Sequence, residues 1–386
     1  MPFSTFANDY GGEFVPDPAL YTSKHARLFC ISSIEVVEEF LDFSNDLNES
    51  YRSDGHRGVN IMAGYLLGRP GDPKRKLINA HARYQEGIDY VGIYISLAAS
   101  TWKMIAAIVE NGFMSIFMGE ADQPRINDVY SDVIVDIHSQ NEFGLSELSE
   151  DLSDFDFDLI KIFFKSTLHW IFQHEFSHIW CGHAEYLANK RDGKDFDELS
   201  DEENFAVEVF CDDRATIAHV MNEYPLAEVE NITKKVIDSR VMNLNQFSFN
   251  IIVSLLSFEI SFLIFALREK KSLTHPMSRT RRNRVIRYFE LFFEDNLIFW
   301  NSYSFRKYML IYILPFYLHK SFGSDNIPDS FTKTIAPSDY DYDVLDPNWE
   351  IVAKKLAPYF RGEKAYLALR FGAPDRAIDK QGRILE

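Results

Sequence analysis

The sequence predicts an α+β fold, mostly helical with a small sheet, and three observations predict it. Apolar residues recur at spacings of three and four through residues 156–186 and 201–221, as a buried helical face requires. One segment, residues 89–97, alternates in the manner of a strand. The 386-residue chain is 46% hydrophobic and 15% aromatic, with 33 Phe and 19 Tyr, so it carries enough apolar surface to offset chain entropy in a sizeable globular core.

Charge and cysteine usage narrow the function classes. A formal charge of −18 argues against a general nucleic-acid or anionic-membrane binder, since such partners are drawn to net positive surfaces, and leaves room only for local basic patches. Cys30, Cys181 and Cys211 are too few and too scattered for a disulfide framework, which fits a reducing cytosol. The opening "MPFSTFANDYGGEFVPDPAL" has neither a basic start nor an apolar run, so no signal peptide is expected and the location expected is cytoplasmic. Residues 249–267, "FNIIVSLLSFEISFLIFAL", approach the length of a membrane span. Asn250, Glu259 and the serines within them favour a buried core helix over a span.

In chain order, residues 1–27 read as irregular, and "DGHRGVN" and "GRPGDPKRK" mark loops. In "DYVGIYISL", residues 89–97, Val91, Ile93 and Ile95 alternate with Gly92, Tyr94 and Ser96, which predicts a strand. "TWKMIAAIVENGF" follows with helical spacing, and "SQNEFGLSELSEDLSDFD" is an acidic, turn-rich connection. A long helix starts near Asp156, with Ile160, Phe163, Phe164, Leu168 and Ile171 on one face. After the acidic loop "KRDGKDFDELS", Ser200 and Glu203 form a capping-box signature and predict a helix over 201–221. The 249–267 helix comes next, then a helix whose first turn suits Pro276. Residues 323–347 read as a long loop before a short C-terminal helical region. The resulting division is an N-terminal region, 1–150, a core, 151–322, and a C-terminal loop and helical region, 323–386.

The chemistry concentrates in "LHWIFQHEFSHIWCGHAEY", residues 168–186. His174-Glu175-Phe176-Ser177-His178 is an HExxH pattern. Helical positions four apart lie about 40° apart around the axis, so both imidazoles can grip one ion. Zinc (Zn2+) suits two neutral nitrogens, and an open coordination position holds a water whose pKa the ion lowers toward neutrality. Glu175 sits where its carboxylate can take that water's proton. A catalytic zinc needs a third ligand from a separate element. Glu208 and Asp212 lie four apart on the capped helix, so Glu208 can complete the ligand set while Asp212 accepts a hydrogen bond from a ligating histidine. The competing reading is a solvated acidic face, because Asp201, Glu202, Glu203 and Asp213 lie nearby.

Other candidates rank lower. His183 is about 180° round the helix from His174, which places it behind the ligands or on the surface. Cys181 would share the histidine face, but it lies roughly 10 Å along the axis from His174, and Gly182 marks the helix end. Thr274-His275-Pro276 followed by Arg281 could place donors on the oxyanion of a tetrahedral intermediate. Arg282, Arg284 and Arg287 read as balancing an acidic surface.

Taken together these segments resemble the gluzincin peptidases related to the CAAX prenyl proteases. HEFSHIWCGH is similar to their HExxHxxxxH, Glu208 to Asp212 to their ExxxD, and His275 to Arg281 to their HPxxxxR, in the same order. The resemblance implies a zincin-like metallopeptidase core over 151–322. By it His174, His178 and Glu208 bind zinc, Glu175 is the base, Asp212 supports a ligand, and His275 and Arg281 contact substrate. Phe210 and Cys211 stand where that family has small residues, and residues 1–150 have no counterpart in it. The HExxHxxxGH form also resembles the Lit-type phage-exclusion peptidases, a bacterial group that cleaves a host protein upon infection. The metzincin pattern is absent, since Cys181 and Ala184 stand where it needs Gly and His.

The expectation is therefore a zinc metalloendopeptidase acting on a protein or peptide substrate, with neither nucleic acid nor membrane as partner. The sheet's edge strand could align an extended substrate. Two rival readings remain: a non-enzymatic module clamped by metal, and a membrane-embedded protease resting on residues 249–267. Unrestricted proteolysis in a cytosol would be lethal, so a narrow substrate is expected. Residues 1–150 or the loop 191–200 either gate the cleft and read a regulatory partner or serve as ordinary scaffold.

Overall fold

A computed structural model of the chain describes residues 2–53, 58–112, 133–135, 137–138, 141–191, 198–220, 246–268, 281–282, 285, 321–322, 349–359, 361, 365–366, 377–378 and 384–385. The N-terminal part carries a short helix, α1 (Phe3–Ala7), a two-residue strand, β1 (Glu13–Phe14), and a long helix, α2 (Lys24–Ser53). Strand β2 (Ile61–Leu66), a single helical turn, α3 (Lys74–Leu77), and strands β3 (Ala80–Gln85) and β4 (Ile88–Tyr94) follow, then helix α4 (Ile95–Glu110). The strands form one mixed sheet in the order β1-β2-β4-β3. β2 runs parallel to β4, with Ala63 opposite Val91, whereas β1 is antiparallel to β2 and β3 to β4. Glu86 and Gly87, at φ 50° and 82°, supply the two left-handed residues that a tight β3–β4 hairpin requires.

The strand expected over 89–97 is present but ends at Tyr94, and α4 starts at Ile95 without a loop. Alternation continues past the boundary because Ile95 and Ser96 also suit a buried first helical turn. β4 is buried on both faces from Asp89 to Tyr94 and is central, so the edge beside it is β3. Residues 1–27, read as irregular, contain α1, whose Phe3 and Phe6 are buried. Five residues are too few for a helical period to show.

Helix α5 (Asp154–Trp180) is the centre of the molecule. Ser153 caps it, accepting from the Asp156 amide while the Asp156 carboxylate accepts from the Ser153 amide. It packs against α2, α4, β3, α7 (Asp201–Val220) and α8 (Gln246–Arg268). A helix covered on all sides is buried all round, as the run "IFFKSTLHWIFQ" is, with its polar members Lys165, Ser166, Thr167, His169 and Gln173 buried among the apolar ones. Cys181 caps it and Gly182, at φ 76°, turns the chain into α6 (His183–Arg191). The capping box expected at α7 is formed: Glu203 donates its amide to Ser200 Oγ, and the Glu203 carboxylate accepts from the Ser200 amide at 2.7 Å.

α8 matches the apolar helix expected over 249–267 and is a core helix, with Glu259 accepting from Arg282 Nε at 2.9 Å. No described helix is long and apolar enough to cross a membrane. Arg282, expected on an acidic surface, is thus buried against Glu259. The C-terminal helical region expected is present as α9 (Trp349–Leu356), which packs on α7, with Lys355 2.8 Å from Glu203. Three two-residue strands, β5 (Ala365–Tyr366), β6 (Ala377–Ile378) and β7 (Ile384–Leu385), pair antiparallel. The loop expected over 323–347, His275 and Arg284 lie outside the described residues.

Candidate metal centre

Two packed helices carry the candidate site. From residue 162 to residue 186 every residue is buried except Glu175, which keeps partial exposure. The helix therefore buries His174 and His178 and leaves Glu175 alone in this stretch with partial exposure. Facing it, α7 begins at the Ser200 cap, and this fixes Glu208 and Asp212 on the side turned toward α5.

His174, His178 and Glu208 converge as a buried group, each offering one ligand atom, and these atoms lie within 4.8 Å of one another. His174 Nε2 and His178 Nε2 are 3.3 Å apart. Glu208 brings Oε2 to 3.4 Å from His174 Nε2 and Oε1 to 3.6 Å from His178 Nε2. Ligand atoms about 2.0–2.2 Å from a tetrahedral ion stand about 3.3–3.6 Å from one another. The three separations fall in or near that range, the two to Glu208 being made by its two different oxygens, and the donor set of two imidazoles and a carboxylate is one that holds a divalent metal.

Behind this group lie charged supports. His174 Nδ1 is 3.0 Å from Asp212 Oδ1, within ion-pair distance. Asp212 also accepts two hydrogen bonds from Arg281, from Nε and Nη2, both at 2.7 Å. Arg281 Nη1 stands 3.6 Å from Glu208 Oε2, so one buried guanidinium holds both carboxylates. Trp170 stacks beside His174 with ring centroids 5.9 Å apart. His178 is supported differently: its Nδ1 lies 2.9 Å from His183 Nδ1. Cys181 stands apart from the ligand atoms, with its thiol 3.7 Å from the His178 carbonyl and its side chain in an apolar cluster with Cys211.

Electrostatics follow from this burial. Burial alone would lower the His174 pKa, but Asp212 and Glu208 outweigh it and bring it up to about 9. His178, chiefly desolvated and flanked by His174, His183 and Arg281, falls well below the ordinary histidine value. Burial would raise the two carboxylates, yet His178, His174 and Arg281 hold Glu208 well below its usual range, and Arg281 with His174 lowers Asp212.

Sequence reasoning singled out each residue of the ligand group and Asp212. It did not find that Arg281 grips Asp212 and Glu208 or that His183 meets His178. The i,i+4 rule speaks only of one helix, whereas these contacts join segments whose approach the spacing does not encode.

The Peptidase U49 family model matches residues 140–302, a span that takes in α5, α6, α7, α8 and Arg281. This is a Lit-type peptidase family, and a relation to the CAAX prenyl proteases is not part of the match. No curated protein and no solved structure matches the chain.

Proposed function

We propose that this chain is a zinc-dependent endopeptidase of gluzincin type, acting on a restricted protein substrate, with His174, His178 and Glu208 holding the ion. The observation that carries the reading is the convergence of His174, His178 and Glu208, whose ligand atoms lie within 4.8 Å of one another, in a span matched by a peptidase family. A zinc ion held there supplies Lewis acidity toward a water and a peptide carbonyl.

The remaining work falls to side chains. Glu175, the one partly exposed residue of that stretch, accepts the proton of the attacking water on its carboxylate and returns it to the departing amine. Asp212 orients His174 through Nδ1, which leaves Nε2 free to face Glu208. Arg281, to which the resemblance gives a substrate contact, is better read as a positioning residue, because its donors are taken up by Asp212 and lie beside Glu208. His275 keeps its proposed contact with the substrate carbonyl. β3, an edge strand that packs against α5 and α6, would align an extended substrate in this reading.

The test pairs metal analysis with proteolysis. Purified protein should contain about one zinc per chain, Glu208→Ala should lose it, and wild type should cleave one or a few proteins of an intact lysate while leaving casein largely whole. Retained zinc in Glu208→Ala would overturn the ligand assignment, and zinc without any Glu175-dependent cleavage would favour a non-enzymatic metal-clamped module.

A further inference from the structure

The two histidines of the metal centre are held by different partners. His174 has the Asp212 carboxylate behind it, whereas His178 has another imidazole, His183. His178 Nε2 faces His174 and Glu208, so a ligating His178 carries its proton on Nδ1. That Nδ1–H points at His183 Nδ1, 2.9 Å away, which must then be the unprotonated acceptor, with the His183 proton on Nε2. The direction of His178 therefore depends on where His183 is held.

His183 is the first residue of α6, one residue past the left-handed Gly182. That corner is clamped by the C-terminal segment. A side chain at Gly182 would come within 2.5 Å of Tyr359 Cβ and 2.6 Å of its carbonyl carbon, so Tyr359 sits directly on the glycine. Two residues on, the Arg361 amide donates to the Trp180 carbonyl at the end of α5. Its guanidinium places Nη1 3.1 Å from Glu185 on α6 and donates from Nη2 to Asp89 on β4 at 2.8 Å. Arg361, Asp89 and Glu185 are all buried. One residue thus joins the sheet and the start of α6 through its side chain and the end of α5 through its backbone amide, and both Arg361 and Asp89 lie outside the span that the peptidase family model matches.

We propose that Arg361 and His183 are positioning residues of the metal centre: Arg361 fixes the corner between α5 and α6, and His183, held at that corner, accepts the Nδ1–H of His178 and sets the direction of that ligand. This rests on the metal-binding reading above. A guanidinium suits the task because its rigid fork addresses two carboxylates at once, which a lysine does not.

The experiment is a chelator competition for zinc on the full-length protein, together with the visible absorption spectrum of the Co2+-substituted form, which reports ligand geometry without any turnover. His183→Ala and Arg361→Ala should each weaken zinc binding about 10- to 100-fold and alter the cobalt bands. His183→Asn, whose side-chain carbonyl can accept the same hydrogen, should restore most of the affinity. Lys355→Ala, which loosens the same C-terminal segment where it meets Glu203 on α7, should change neither readout. If Arg361→Ala fails to fold, Arg361→Lys, which keeps the charge and loses the fork, takes its place with the same expected weakening. Folded His183→Ala and Arg361 variants with wild-type affinity and spectrum would overturn the proposal while leaving the metal site standing. A wild-type protein that takes up no zinc would overturn the metal reading, and this proposal with it.

Discussion

Glu175 and His174 are neighbours in sequence and differ in what surrounds them: the histidine is buried among Asp212, Glu208 and Trp170, and the glutamate reaches partial exposure. That division is consistent with the proposed roles, metal binding for His174 and proton transfer for Glu175. Glu175→Gln, which cannot take a proton, should lower turnover by about 10²- to 10⁴-fold with zinc content unchanged, read by product formation beside metal analysis. Zinc lost together with activity would contradict the assignment. Arg281→Ala should behave otherwise, because it strips Asp212 of two donors in a buried site. A buried ion pair broken on one side costs about 3–5 kcal/mol, so urea unfolding should move to lower concentration and zinc retention should fall as well. Arg281→Lys should restore little of either. Loss of turnover from Arg281→Ala at full stability and full zinc content would return this residue to the substrate-contacting role that the resemblance implies.

Among the elements, those announced by local chemistry were legible. The i,i+4 pair on α5, the Ser200–Glu203 box of α7, the stop at Gly182 and the apolar run of α8 each follow from one stretch of chain, and each stands where the sequence places it. What was not legible depends on partners distant in the chain. Arg282 reads as a surface cation until Glu259 of α8 meets it. Arg361 carries no local signal, and its meaning comes from Asp89 and Glu185. Asp89 yields a pH prediction at this scale. Burial raises its pKa to about 6 from 3.8, against the opposing pull of Arg361 and the Asn60 amide, with Glu185 adding to the rise. The fold thus holds the Asp89 proton more tightly than the unfolded chain does. Its contribution to stability is full below the unfolded value and is lost as pH rises through the folded one, a change of about 3 kcal/mol at most at ~1.4 kcal/mol per pKa unit. Between pH 4 and pH 6 the urea midpoint of wild type should fall relative to that of Asp89→Asn. Parallel midpoints across that window would show that the Arg361 pair keeps Asp89 charged throughout.

At the scale of the whole molecule, the segment with the readable motifs is not a self-sufficient unit. α5 is enclosed by α2, α4 and β3 from the N-terminal side, and its end is closed by Arg361 and Tyr359 from the C-terminal side. Residues 140–302 expressed alone should therefore expose much of the apolar surface of α5 and unfold without a cooperative urea transition, as followed by circular dichroism. A cooperative transition with zinc bound would show that the flanking regions are dispensable for the centre. The central claim, that this centre cuts peptide bonds, is tested most directly by mass-spectrometric mapping of protein N-termini in cells expressing wild type against cells expressing Glu175→Gln at equal level. The account predicts a small set of new N-termini, confined to one or a few proteins, present with wild type and absent with the variant. Identical sets in the two cultures, from wild-type protein carrying its full zinc, would contradict it.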